Sequence, residues 1–171
     1  PYALPLSQPF RGITVREGVL LRGPSGWGEF APFDDYSPRG CALWLAAGVE
    51  AAFGVWPQQH RDRVPVNAII PGIPADEAAA LARRAVLEFG CSTLKIKVAA
   101  MGAVLADDEA RVAAVRDAAD SALHSLGLTE SACLRLDANG GWSAADGARA
   151  LARLAAYTIE YIEQPCATID D

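Results

Sequence analysis

Two lysines, Lys95 and Lys97, stand two positions apart in the run Leu94-Lys95-Ile96-Lys97-Val98, and they are the only lysines among the 15 Lys and Arg residues. Arginine carries every other basic position. Lysine chosen twice, and only here, points to a task that arginine cannot perform. A guanidinium stays protonated near neutral pH, whereas an ammonium that is buried or placed beside another positive charge can give up its proton and act as a general base. The bland alternative is a pair of lysines reaching for solvent from an edge strand.

Two carboxylates stand in comparable places further on. Asp137 ends Leu134-Arg135-Leu136-Asp137, and Glu163 ends Ile159-Glu160-Tyr161-Ile162-Glu163. One carboxylate from each of two neighbouring strands suits a hard cation such as Mg²⁺, with water completing the shell. The bland alternative is that they pair with Arg135 or cap helices. A glycosidase dyad is a third reading, but it leaves the lysines without a role.

These side chains need strands to aim them. Ser92–Val98 reads as a strand whose period of two puts both lysines on one face and Leu94, Ile96 and Val98 on the other, against helices. Val64–Ile70, Cys133–Asp137 and Ile159–Glu163 read as further strands, and in the last one alternation sets Tyr161 and Glu163 inward. Helices are expected over Asp76–Phe89 with Gly90 as the stop, over Asp107–Leu123, and over Ser143–Tyr157 with a Ser143/Asp146 capping box. Strand and helix alternating at about 30 residues predict a parallel sheet with right-handed crossovers. A closed eight-unit barrel takes about 250 residues. Residues 64–171 therefore supply about half of one, and active sites of such barrels lie at the C-terminal strand ends, where Asp137 and Glu163 fall.

The first 60 residues read differently. Ile13–Leu21 and Trp27–Phe30 predict an antiparallel hairpin around Gly23-Pro24-Ser25-Gly26, and Gly40–Phe53 predicts a helix. Residues 54–63 read as a linker. The organisation expected is a small α+β domain over 1–60 and the first half of a barrel over 64–171.

Composition excludes other classes. The 171 residues are 51% hydrophobic with net charge −6, so the chain is neither disordered nor suited to a phosphate backbone or an anionic membrane. The opening residues lack the pattern of a secretory signal. Cys41, Cys91, Cys133 and Cys166 form no metal or redox spacing. They read as reduced thiols of a cytoplasmic protein, with Cys91 and Cys133 buried. His60 and His124 lack partners at metal-binding spacing. Gly26-Trp27-Gly28-Glu29-Phe30-Ala31 fits a loose dinucleotide pattern, but Pro32 follows instead of a helix.

At Lys95-Ile96-Lys97, Leu136-Asp137-Ala138-Asn139-Gly140-Gly141-Trp142 and Tyr161-Ile162-Glu163-Gln164-Pro165, the sequence resembles the enolase superfamily, in its muconate-lactonizing-like subgroup. Phe10–Gly18, Gly26–Phe33 and Val66-Asn67-Ala68 extend the likeness along nearly the whole chain. The resemblance implies a (β/α) barrel under a capping domain. It implies Lys97 as the base that removes a proton next to a carboxylate, and Lys95 as a neighbour that holds that carboxylate and lowers the Lys97 pKa. It implies Mg²⁺ on Asp137 and Glu163, a known pattern of this superfamily. Asn139 would order the metal end, and the loop around Arg11 would close over substrate. The reaction implied is a dehydration; a racemase or epimerase, or a non-catalytic half-barrel, is the alternative. The partner expected is a small carboxylate, with homo-oligomers and without nucleic acid or membrane. The superfamily's third metal carboxylate and its opposing lysine would fall beyond Asp171. The expectation is therefore that the sequence is part of a longer one, and that alone it holds Mg²⁺ weakly and exposes strand edges that favour self-association.

Overall fold

The computed structural model describes residues 1–10, 12–100 and 102–170. These divide into two compact units, Pro1–Asp62 and Arg63–Asp171.

The first unit holds strands β1 (Tyr2–Phe10), β2 (Ile13–Gly23) and β3 (Gly26–Phe30), antiparallel in the order β1-β2-β3, followed by helix α1 (Pro38–Phe53). The expected hairpin is β2–β3, closing at Gly23↔Gly26. Helix α1 starts two residues earlier than expected. Its first turn is fixed by Pro38 and by Ser37, whose side chain accepts the Gly40 N–H. The β1 strand was not legible in the sequence. Pro5 and Pro9 break its alternation, and the register shifts between Pro5 and Phe10. An outer strand tolerates prolines because the missing N–H can face away from the ladder.

The second unit runs β4 (Ala68–Ile70), α2 (Ala75–Phe89), β5 (Thr93–Lys97), α3 (Leu105–Ser125), β6 (Cys133–Asp137), α4 (Ala144–Leu154), a 3₁₀ turn (Ala155–Tyr157) and β7 (Ile159–Glu163). The four strands are parallel in chain order, β4-β5-β6-β7, with every neighbouring pair joined by a helical crossover. This is the α/β half-barrel pattern expected. Leu94 and Ile96 of β5 and Leu134 and Leu136 of β6 are sealed against α2 and α3, where Ala78, Ala82, Val112, Val115 and Ala119 meet them. Each such large side chain stabilises the layer by about 1.5–3 kcal/mol. Gly90 takes φ 63 and ends α2, with its N–H bonded back into the last turn.

Three expectations are corrected. The strand expected from Val64 begins only at Ala68. Val64 and Val66 are exposed, Pro65 offers no donor, and pairing with β5 starts at Leu94. The helix expected to reach Tyr157 tightens into the 3₁₀ turn and stops at Thr158 in the left-handed region. Cys91 and Cys133 are half-buried instead of buried: the Cys91 thiol lies against the Val66 and Thr93 carbonyls, and Cys133 lies against Glu160. The capping box forms with a changed bond. Ser143 accepts the Asp146 N–H, and its hydroxyl donates to the Asp146 carboxylate. Among the described residues, no helix is long and apolar enough to cross a membrane.

Candidate active site

Strand alternation and register together build the site. Leu94 and Ile96 point into the helical layer, so Lys95 and Lys97 stand on the opposite face of β5, an interior strand with neighbours on both sides. The edge-strand alternative for the lysines therefore falls. Along the parallel register Lys95, Arg135 and Tyr161 form one row, and Lys97, Asp137 and Glu163 form the next, at the C-terminal strand ends.

The upper row closes into one cluster, joined by Lys95 from the row below. Lys97 Nζ donates to Asp137 Oδ2 at 2.5 Å and to Asn139 Oδ1 at 2.7 Å. Lys95 Nζ bridges the two carboxylates, 3.2 Å from Asp137 Oδ2 and 3.0 Å from Glu163 Oε2. Asp137, 1% exposed, also accepts the Asn139 N–H at 3.0 Å through Oδ1. The fold thus brings Lys95, Lys97, Asp137, Asn139 and Glu163 together. Arg11 lies outside the described residues.

Arg135 takes neither carboxylate. Its Nε donates to Glu160 at 2.6 Å, and its guanidinium lies 5.2 Å from the centre of the Tyr161 ring. Sequence alternation missed Glu160 because β7 carries an extra residue there: Leu134 faces Ile159, but Arg135 faces Tyr161.

Turns fix the ends of these strands. Ala99, Asn139 and Gln164, just past β5, β6 and β7, all sit at positive φ, at 57°, 47° and 43°. Such backbone costs an L-residue about 1–2 kcal/mol. The turns are held by the Ala138 N–H on the Glu163 carbonyl and the Gly140 N–H on the Gln164 carbonyl. Gly141 is required by contact: a Cβ there would stand 2.7 Å from the Ala99 carbonyl oxygen.

The charges shift one another. Burial pushes the Asp137 carboxyl up, but hydrogen bonds from Lys97, Lys95 and the Asn139 N–H outweigh it and hold the group below its ordinary 3.8. The hydrogen bond to Glu163 raises Lys95 above 10.5 against the pull of burial, and Asp137 adds to the rise. A lowered lysine pKa is thus not what Lys95 shows; facing two carboxylates decides the sign. Hydrogen bonds from Arg135 and then Cys133 lower Glu160 below 4.5. Depressed carboxylates stabilise the fold above their unfolded values and lose that contribution as pH falls through the lowered ones. A raised lysine stabilises below 10.5 and loses its contribution as pH rises through the raised value. Burial and the contact with Glu160 raise the Cys133 thiol above 9.0, so its contribution too is lost as pH rises. The urea midpoint of the metal-free protein should therefore stay level between about pH 5 and 8 and fall outside that window. A midpoint that rises on acidification below pH 4 would contradict these ion pairs.

The donor set suits a hard cation. Two carboxylates in register converge on a single ammonium, so the site already arranges its oxygens around positive charge. Among the described residues no third His, Cys, Asp or Glu completes a metal cluster with them.

Residues 2–52 match the family described as Enolase N-terminal domain-like, and residues 77–171, over half of the chain, match Enolase C-terminal domain-like. The chain belongs to the enolase family. As an enolase-family chain it is 49% identical over 170 residues to the o-succinylbenzoate synthase of Thermobifida fusca strain YX, covering 99% of this chain and 50% of that protein. It spans about half the length of the curated relatives it matches. It is similar to the substrate-liganded L-Ala-D/L-Glu epimerase of Bacillus subtilis, with TM-score 0.71 and 25% identity over 99% of this chain and 60% of that one. The o-succinylbenzoate synthase of Thermosynechococcus elongatus, solved with Mg in the active site, shares the fold at TM-score 0.57 and 23% identity, over 96% of this chain and 59% of that one.

Proposed function

We propose that the full-length protein is an o-succinylbenzoate synthase, which dehydrates 2-succinyl-6-hydroxy-2,4-cyclohexadiene-1-carboxylate in menaquinone biosynthesis in the cytoplasm. The observation that carries this is the facing of the Lys95/Lys97 pair with Asp137 and Glu163 at the strand ends. The 49% identity to a named synthase supports the choice of reaction. Four free thiols agree with a reducing compartment.

In this reading Lys97 Nζ, once neutral, takes the ring proton next to the substrate carboxylate. The electron pair of that C–H bond forms a ring double bond as the adjacent hydroxyl leaves, and the Lys97 ammonium returns the abstracted proton to it, so that one water departs and the ring becomes aromatic. Lys95 holds the substrate carboxylate by charge. Asn139 fixes the direction of the Lys97 amine. Asp137 and Glu163 would hold Mg²⁺, which supplies positive charge against the negative charge that develops on the carboxylate.

The test is an assay of the full-length protein for o-succinylbenzoate formation. Turnover should appear with Mg²⁺, drop to background with EDTA and return when excess Mg²⁺ is added. Turnover that persists after complete chelation would sink the metal assignment. A second reading, a racemase or epimerase, is favoured by the likeness to the dipeptide epimerase. Exchange of the α-proton of an N-succinylamino acid or dipeptide, without any o-succinylbenzoate formed, would replace the first reading by the second.

A further inference from the structure

Behind the lysine pair lies a charged cluster that the proposed reaction does not use. Asp108 and Arg111, one turn apart on α3, are only 1% and 5% exposed. Arg111 Nη1 donates to Asp108 Oδ1 at 2.7 Å. The other carboxylate oxygen of Asp108 accepts the Ala99 N–H at 2.8 Å. Arg111 also donates to two carbonyls, through Nε to Ile73 at 2.5 Å and through Nη1 to Lys97 at 3.2 Å.

The placement of these bonds is informative. Pairing of β4 with β5 ends at Ile70↔Ile96. One residue further along β5, the Lys97 carbonyl is taken by Arg111. The same guanidinium takes Ile73, on the segment that leaves β4. A side chain therefore continues the tie between two strand ends after their ladder has stopped. Two residues beyond Lys97, Asp108 holds the N–H of Ala99, the residue at φ 57° that packs on Gly141. The main chain leaving Lys97 is thus held at two points, the Lys97 carbonyl and the Ala99 N–H.

A buried ion pair is a poor way to gain stability alone, since apolar residues of similar volume often do as well or better. Apolar residues cannot hold two carbonyls and an N–H in fixed places. We infer that Asp108 and Arg111 are positioning residues that set the main chain of Lys97, and through it the direction of its amine toward substrate. The inference rests on the reading of Lys97 as the base.

The experiment uses the full-length protein with Asp108→Leu and Arg111→Met together, so that no charge is left buried alone. The expected result is a thermal midpoint within about 5 °C of wild type, faster hydrogen exchange at the Ala99 amide, and kcat lowered about 10- to 100-fold with KM within about threefold. Wild-type kcat per folded molecule would overturn the inference. Should the double variant not fold, Arg111→Lys carries the test, because it keeps the charge but not the fork that spans two carbonyls. The same kcat loss is then expected, and wild-type kcat overturns. If the wild-type protein turns over neither class of substrate, the proposed function fails separately. The NMR signal of the Lys97 side chain then decides: displacement in the double variant supports positioning, and an unmoved signal overturns it.

Discussion

Replacing Lys97 by alanine in the full-length protein should lower turnover by about 10²–10⁴-fold, the usual contribution of a general base. Lys97→Arg should not restore it. Arginine keeps the positive charge and can still meet Asp137 and Asn139, the two groups Lys97 reaches here. It cannot release a proton at working pH. The pair of variants thus separates a need for charge from a need for proton transfer. Steady-state assay with matched thermal melts is sufficient, because neither change creates a cavity in the sealed layer of Leu94 and Ile96. Near-normal kcat in Lys97→Arg would show that this amine only balances charge.

Asp137→Asn should be comparably severe. Its carboxylate meets both ammoniums and is almost fully enclosed, so the amide keeps the shape and removes the charge. In the proposed reaction it also removes one of two carboxylates expected to hold Mg²⁺. Charge stabilisation from a bound metal is worth several kcal/mol, so a loss of about 10²–10³-fold in kcat is expected. Titration calorimetry should show weaker Mg²⁺ binding by the same variant, and its urea midpoint should lose the acid limb that Asp137 contributes. Wild-type Mg²⁺ affinity in Asp137→Asn would remove this residue from the metal site.

Much of the site could be read from the sequence, because strand alternation is a short-range signal. Once Leu94 and Ile96 face the helices, Lys95 and Lys97 must face away from them, and the same step places Asp137 opposite Leu134 and Leu136. Glu160 was lost because a single extra residue in β7 changes the face count, and nothing in Ile159–Glu163 announces it. The β1 strand was lost because its prolines hide a periodicity that only an outer position allows. Asp108 and Arg111 were hidden for another reason. Acidic residues in the first turn of a helix are common as companions of its dipole, so nothing in the sequence sets Asp108 apart from Asp107. Only the folded chain shows that both side chains reach back to the strand ends.

The left-handed turns at Ala99, Asn139 and Gln164 bear on how this chain balances order against freedom. Glycine at any of them would relieve local strain in the folded protein. It would also enlarge the range of shapes open to the unfolded chain, at a cost of about 0.4–1 kcal/mol. The strain is the larger of the two, so each non-glycine residue costs the fold roughly 1 kcal/mol net. What they bring is a narrower ensemble: each turn arrives at its strand end with fewer ways to be wrong. The rim of the sheet thus trades strain for fidelity, residue by residue, at the three turns that follow Lys97, Asp137 and Glu163.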